Sequence, residues 1–147
     1  MRKVAIVGVA QVPVREHWDS GLRELAARAV LDALKDANIQ HVDALFVGNM
    51  LGGSFSDQTN LGALIAEYAA LEVNEAVTVE AACASGASAF RQAVLAVASG
   101  SVDTAIAVGV EKLTEHSDVS PASGLATATD ADYDAAMGLS FVAVNAL

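Results

Sequence analysis

The stretch from Cys83 to Ser99 constrains this chain more than any other. Ala84, Ala87, Ala89, Phe90, Ala93, Val94, Leu95, Ala96, Val97 and Ala98 surround a helical axis, and only Ser85, Ser88, Arg91, Gln92 and Ser99 break the apolar surface. Gly100 closes the helix. A helix that is apolar on nearly every face is buried on nearly every face. One sheet covers only one side of it, so a further layer or a partner is expected on the other.

The segments around this helix read as an open α/β pattern. Val4-Ala5-Ile6-Val7-Gly8 is apolar and β-branched without alternation, which suits a strand buried on both faces. Asp19 or Ser20 is placed to cap a helix in which Leu22, Leu25, Ala26, Ala29, Val30, Ala33, Leu34 and Ala37 form one face, ending near Asn38. Asp43–Val47 reads as a second strand, about 60–70 as a second helix, Val77–Glu80 as a third strand and Asp103–Val110 as a fourth. Alternating β and α segments with short connections predict a mostly parallel sheet with helices on both faces, the first strand central. Residues 1–114 are expected to form this core. Residues 115–147 read as a loop region, or short elements packed on the core, and the closing apolar run Phe141–Leu147 reads as a chain cut before a further part.

Composition removes several classes of function. The formal net charge is −10, and of eight basic residues only Arg91 and Lys112 follow residue 35. Nucleic-acid surfaces need clustered Lys and Arg, so that class of partner is excluded. If the ligand is an anion such as coenzyme A, most phosphate contacts must come from elsewhere. Charges or glycines interrupt every apolar run before it reaches membrane-spanning length. Met1-Arg2-Lys3 and the apolar residues after it mimic a leader, but no small-residue cleavage site follows, so a cytoplasmic protein is expected. A single cysteine excludes an internal disulfide framework and any Cys-rich zinc site.

That cysteine sits in Val77-Thr78-Val79-Glu80-Ala81-Ala82-Cys83-Ala84-Ser85-Gly86, where a strand ends, small residues turn, and a helix opens. A helix N-terminus carries partial positive charge and unpaired N–H groups, which favour thiolate over thiol. The same N–H groups suit the oxygen that develops when a thioester carbonyl is attacked. Ala82, Ala84 and Gly86 leave room for an acyl group. A lone cysteine is also commonly a small buried core residue, and position alone leaves both readings open.

The segment Glu80-Ala81-Ala82-Cys83-Ala84-Ser85-Gly86-Ala87 resembles the nucleophile segment of the thiolase family, particularly its archaeal and sterol-carrier-type branch of acetyl-CoA acetyltransferases. Val108-Gly109-Val110-Glu111-Lys112-Leu113-Thr114 resembles the segment that follows the family's fourth strand, and Val4–Gly8 and Val47-Gly48-Asn49 also fit. The resemblance implies that the chain is the N-terminal half of a fold made of two similar β/α halves in five layers, with the cysteine helix in the middle layer. It implies acyl transfer from a coenzyme A thioester to Cys83, as part of a thiolytic cleavage or Claisen condensation, with no tightly bound cofactor. The family's histidine base and second cysteine belong to the C-terminal half, so the chain alone is expected to be inactive. Its partner would be another copy or a subunit carrying that half. Two alternatives remain: a related ketoacyl or hydroxymethylglutaryl-CoA synthase, and a non-catalytic thiolase-like subunit binding a partner or lipid.

Other candidates carry less. His17, His41 and His116 lie outside any matching motif and read as surface or loop residues. Gly52-Gly53 lacks the Gly-Lys-Ser/Thr of a phosphate loop and reads as a turn. Asp130, Asp132 and Asp134 lack the glycine and terminal glutamate of a calcium loop and read as a solvated acidic segment. Glu111 and Lys112 read equally as cleft residues or a surface ion pair. Ser85 reads equally as a donor near the thiolate or a helix-start residue.

Overall fold

A computed structural model describes residues 1–115, 120–141 and 143. His116 and most of the closing apolar run lie outside these residues. The elements in chain order are α1 (Leu22–Ala37), β1 (Ala44–Gly48), α2 (Gly52–Phe55), α3 (Leu61–Tyr68), β2 (Glu75–Val79), a 3-10 turn (Ala82–Ala84), α4 (Ser85–Ser99), β3 (Ala105–Gly109) and α5 (Pro121–Ala126).

The sheet is parallel throughout, in the order β2-β1-β3. Side chains alternate across β1, so Leu45 and Val47 face one side while Ala44 and Phe46 face the other. Leu45 and Val47 pack with Leu22, Ala26, Val30 and Leu34 of α1 and Leu61 and Ile65 of α3. Ala44 and Phe46 pack with Ala89 and Ala93 of α4. Both faces of β1 are covered, which is why DALFV shows no polar alternation. Asp43, just ahead of β1, fastens the amino ends of the strands. Its Oδ2 accepts from the backbone N–H groups of Asp103 and Thr104 and from the Thr104 hydroxyl. The bonds from Thr104, then that from Asp103, hold its carboxyl below the ordinary aspartate range.

The helix α1 follows the expected stripe, with Leu22, Leu25, Ala26, Val30 and Leu34 buried. Its cap differs from expectation. Gly21 occupies the cap, and its N–H donates to Glu24 Oε2 at 2.8 Å, so neither Asp19 nor Ser20 is needed. Asn38 ends the helix in the left-handed conformation (φ 53°), its N–H returning to Leu34 and Lys35 carbonyls.

The first expected strand is not a strand. Residues 4–8 form no ladder, and Ile6 and Val7 are 68% and 65% exposed. Central position belongs instead to β1, expected as the second strand. The reason lies in where the backbone groups go. Arg2 N–H donates to the Ala98 carbonyl at the end of α4, and Val9 N–H donates to the Asp36 carboxylate near the end of α1. Between them Gly8 lies against Ala33 and Ala37, where a β-carbon would come within 2.5 Å of the Ala33 carbonyl oxygen. The segment is an extended arm joining the ends of two helices on opposite faces of the sheet. An apolar run signals burial without naming its strand partner.

Two further expectations are sharpened. The strand before Cys83, β2, is an edge strand and only partly buried. The helix α4 is covered on one side alone. Ser85, Ala89, Ala93 and Ala98 are buried, while Phe90 is 48% exposed. After residue 115 the short helix α5 packs Gly124 against the Phe55 ring and Leu51.

Candidate active site

The strands end at one level. Gly48 of β1 is in register with Val79 of β2 and with Gly109 of β3. The segments leaving these ends are neighbours: 49–52 after β1, 80–84 after β2 and 110–115 after β3. The carboxyl ends of parallel strands are where open α/β sheets bind ligands.

Cys83 sits in the 3-10 turn immediately before α4, and it is exposed. Exposure removes the reading of a packed core thiol. Ser85 fixes the turn from beneath. Its buried Oγ accepts from Ala81 N–H at 2.9 Å and donates to the Ala82 carbonyl at 2.6 Å. The Glu80 carboxylate accepts from Ala82 N–H. Ala82 is held at φ 48°, a left-handed conformation that costs a non-glycine residue about 1–2 kcal/mol. Ser85 thus acts as a helix-start residue whose bonds stabilise a strained backbone next to the thiol. No side chain caps α4 itself, so the N–H groups of its first turn lie next to Cys83.

The first turn of α4 rests on the strand ends. A β-carbon at Gly48 would lie 2.5 Å from the Ser85 carbonyl, so only glycine permits this approach. Gly86 and Gly109 also meet backbone to backbone. Asn49 N–H donates to the Val79 carbonyl, joining the end of β1 to the start of the cysteine segment.

Glu111 and Lys112, expected as a possible pair, diverge. Glu111 Oε1 accepts from Asn49 Nδ2 at 2.9 Å, and its Oε2 accepts from Met50 N–H at 2.9 Å and Leu51 N–H at 3.1 Å. Asn49 Nδ2 also donates to the Val110 carbonyl, and Asn49 Oδ1 accepts from Gly52 N–H. Lys112 turns the other way. Its Nζ donates to the carbonyls of His17 and Ser20 and lies 3.8 Å from Glu115 Oε1. Glu115 Oε1 accepts from His17 N–H. Burial works against charge on Glu115, but the His17 N–H, its own N–H and Lys112 overcome it, so its carboxyl lies below the ordinary glutamate range.

The described histidines do not serve the thiol. His17 is a loop residue, as expected, but it is buried, not on the surface. Its Nε2 pairs with the Pro13 carbonyl, and Nδ1 has no partner among the described residues. His41 is exposed, 3.6 Å from Asp43. Gly52 opens α2 and makes a turn. Asp130 accepts from the N–H groups of Asp132 and Tyr133, and Asp134 accepts from Asp130 N–H, closing a local acidic turn. Among the described residues no cluster of His, Cys, Asp or Glu is placed to hold a metal ion, and no helix is long and apolar enough to cross a membrane. A polar hollow lined by Arg2, Asp43, Asn74 and Asp103 opens at the amino ends of the strands, away from Cys83.

The strained Ala82 and the Asn49–Glu111 network had escaped the sequence. A signal was present for the second: an asparagine directly after a strand end, and an acid two residues past another.

The site is a cysteine at the turn from an edge strand of a parallel sheet into a largely apolar helix. Residues 4–143 match the family model "Thiolase, N-terminal domain", so the chain belongs to the thiolase family as its N-terminal domain. It is 43% identical over 149 residues to an acetyl-CoA acetyltransferase of Methanothermobacter thermautotrophicus, covering 100% of this chain and 38% of that protein. It is 41% identical to an acetyl-CoA acetyltransferase of Methanocaldococcus jannaschii, with the same coverage. A structure of acetyl-CoA acetyltransferase from Syntrophomonas wolfei aligns with a TM-score of 0.59 over 66% of this chain and 26% of that one, at 21% identity, a likeness of fold. The chain thus spans well under half the length of the archaeal relatives it matches.

Proposed function

We propose that this chain supplies the acyl-accepting cysteine of a thiolase-type acyltransferase acting on acyl-CoA thioesters in the cytoplasm. The observation that carries the proposal is the exposed Cys83 at the uncapped start of α4, above the carboxyl ends of a parallel sheet. The Cys83 Sγ attacks the thioester carbonyl. A new S–C bond forms, the bond to the coenzyme A sulfur breaks, and the thiol proton leaves with coenzyme A. The N–H groups at the helix start are placed for the transient oxyanion. A base and the deprotonation of a second substrate are assigned to residues beyond this chain, on a subunit carrying the C-terminal half. The half-covered α4, with Phe90 outward, supports such a partner. The family match favours this reading over a ketoacyl or hydroxymethylglutaryl-CoA synthase.

Incubation with acetyl-CoA followed by intact-mass measurement tests the proposal. The expected result is a gain of one acetyl group on the wild type and none on Cys83→Ala. Equal labelling of both, or of neither, overturns it. Sustained acetoacetyl-CoA formation by the pure chain would refute the assignment of the base elsewhere.

A further inference from the structure

We infer that Glu111 is a positioning residue for Cys83. The inference rests on the acyl-enzyme reading above. Glu111 lies two residues past the end of β3, yet every acceptor bond it makes is to the 49–51 turn after the neighbouring strand β1. Together, Glu111 and the Asn49 side chain take up the N–H groups of Met50, Leu51 and Gly52. That turn is continuous with Gly48, where a β-carbon would run into the Ser85 and Gly86 backbone, and with Asn49 N–H, which holds the Val79 carbonyl. Glu111 therefore fixes the floor beneath the first turn of α4, and with it the height of the cysteine above the strand ends. The turn also stands beside the cysteine segment by strand register, so an acyl group reaching Cys83 passes along it.

The chemistry of the bonds dictates the substitution. Glu111→Gln keeps the shape, and its one carbonyl oxygen can still accept from Met50 and Leu51. Its amide then meets Asn49 Nδ2, donor against donor. Asn49→Asp alone sets two carboxylates face to face. The exchange Asn49→Asp with Glu111→Gln restores an acceptor opposite a donor and keeps an acceptor for Gly52 N–H, while the bond to the Val110 carbonyl gives way to a carboxylate oxygen that must turn from it. Asp43→Asn is the control: it removes a carboxylate that fastens the amino ends of the same strands and has no connection to the cysteine turn.

The experiment compares two reactions of the single thiol in each variant: acetylation by acetyl-CoA, which needs correct placement of the attacked carbonyl, and alkylation by iodoacetamide, which needs only access. The expected result is about tenfold slower acetylation in Glu111→Gln and in Asn49→Asp, with alkylation changed much less. The exchange variant should recover most of the rate. Asp43→Asn should lower the melting temperature and leave the ratio of the two rates unmoved. Should Glu111→Gln not fold, Asn49→Asp against the exchange variant makes the same comparison. The inference is overturned if acetylation and alkylation fall together, or if the exchange brings no recovery. Failure of the wild type itself to acetylate at Cys83 would overturn the acyl-enzyme reading, and the positioning role with it.

Discussion

The helices α1 and α4 are nearly equal in length, 16 and 15 residues, and flank the same strands, yet they are finished differently. The outer face of α1 is charged and its first turn is capped by Glu24. The outer face of α4 sets a half-exposed Phe90 beside Arg91 and Gln92, its start has no side-chain cap, and a cysteine stands there. One helix is complete as folded in this chain. The other gives up a cap and leaves the Phe90 ring half in solvent, and the proposed function puts a substrate at the first and a partner at the second. Stability and chemistry have been divided between the two faces of one sheet.

Core truncation on the α1 side should produce the largest effect on folding. Leu45 is fully buried between β1, α1 and α3, and Leu45→Ala should cost about 2–5 kcal/mol in urea unfolding. A much smaller loss would mean that the α1 face is as loosely finished as the other. At the start of α4, Ser85→Ala removes an acceptor for Ala81 N–H and a donor to the Ala82 carbonyl, a loss of about 1–3 kcal/mol. Acetylation of Cys83 should slow with it, and unchanged acetylation would separate the turn's strain from its reactivity.

Phe90→Asp probes the outer face of α4. The side chain is half exposed, so the stability of the single chain should move by no more than about 0.5 kcal/mol, while association with a second copy or subunit weakens in sedimentation. Identical sedimentation of both proteins at every concentration would place the partner elsewhere. The smallest effect belongs to the cap of α1. The Gly21 N–H, and then the Tyr68 hydroxyl, hold the Glu24 carboxyl below the ordinary glutamate value. A lowered folded-state value means the contribution is present above the ordinary value and is lost as pH falls through the folded one. Glu24→Gln should therefore flatten the acid limb of a stability–pH curve slightly and leave neutral stability to the remaining hydrogen bonds.

Much of this division was legible in the residues. Periodicity located α1 to within a residue at its end, and DALFV announced a strand. The strand–turn–helix around Cys83 was readable because small residues, a turn and an apolar helix coincide there. What escaped was set by distant pairing. Val4–Gly8 carries the same apolar signal as β1, but the N–H groups on either side of it, of Arg2 and Val9, find Ala98 and Asp36 instead of a strand. Glu111 and Lys112 read equally as cleft residues or as a surface ion pair, the pair suggested by their being adjacent. Successive residues in extended chain point to opposite sides, so one reaches the 49–51 turn and the other the 17–20 loop.

The common level at which β1, β2 and β3 end has a consequence for how such a chain can change. Three loops begin side by side: 80–84 carries Cys83, 49–52 stands next to it by strand register, and 110–115 ties the 49–51 turn through Glu111 and the 17–20 loop through Lys112. Because Glu111 and Asn49 tie down the residues up to Gly52, resizing for a longer or bulkier acyl chain is open only beyond Gly52, where it would leave in place those bonds and the ones Ser85 makes around Ala82. New substrates would then be reached by editing one loop, with the reacting centre left as inherited.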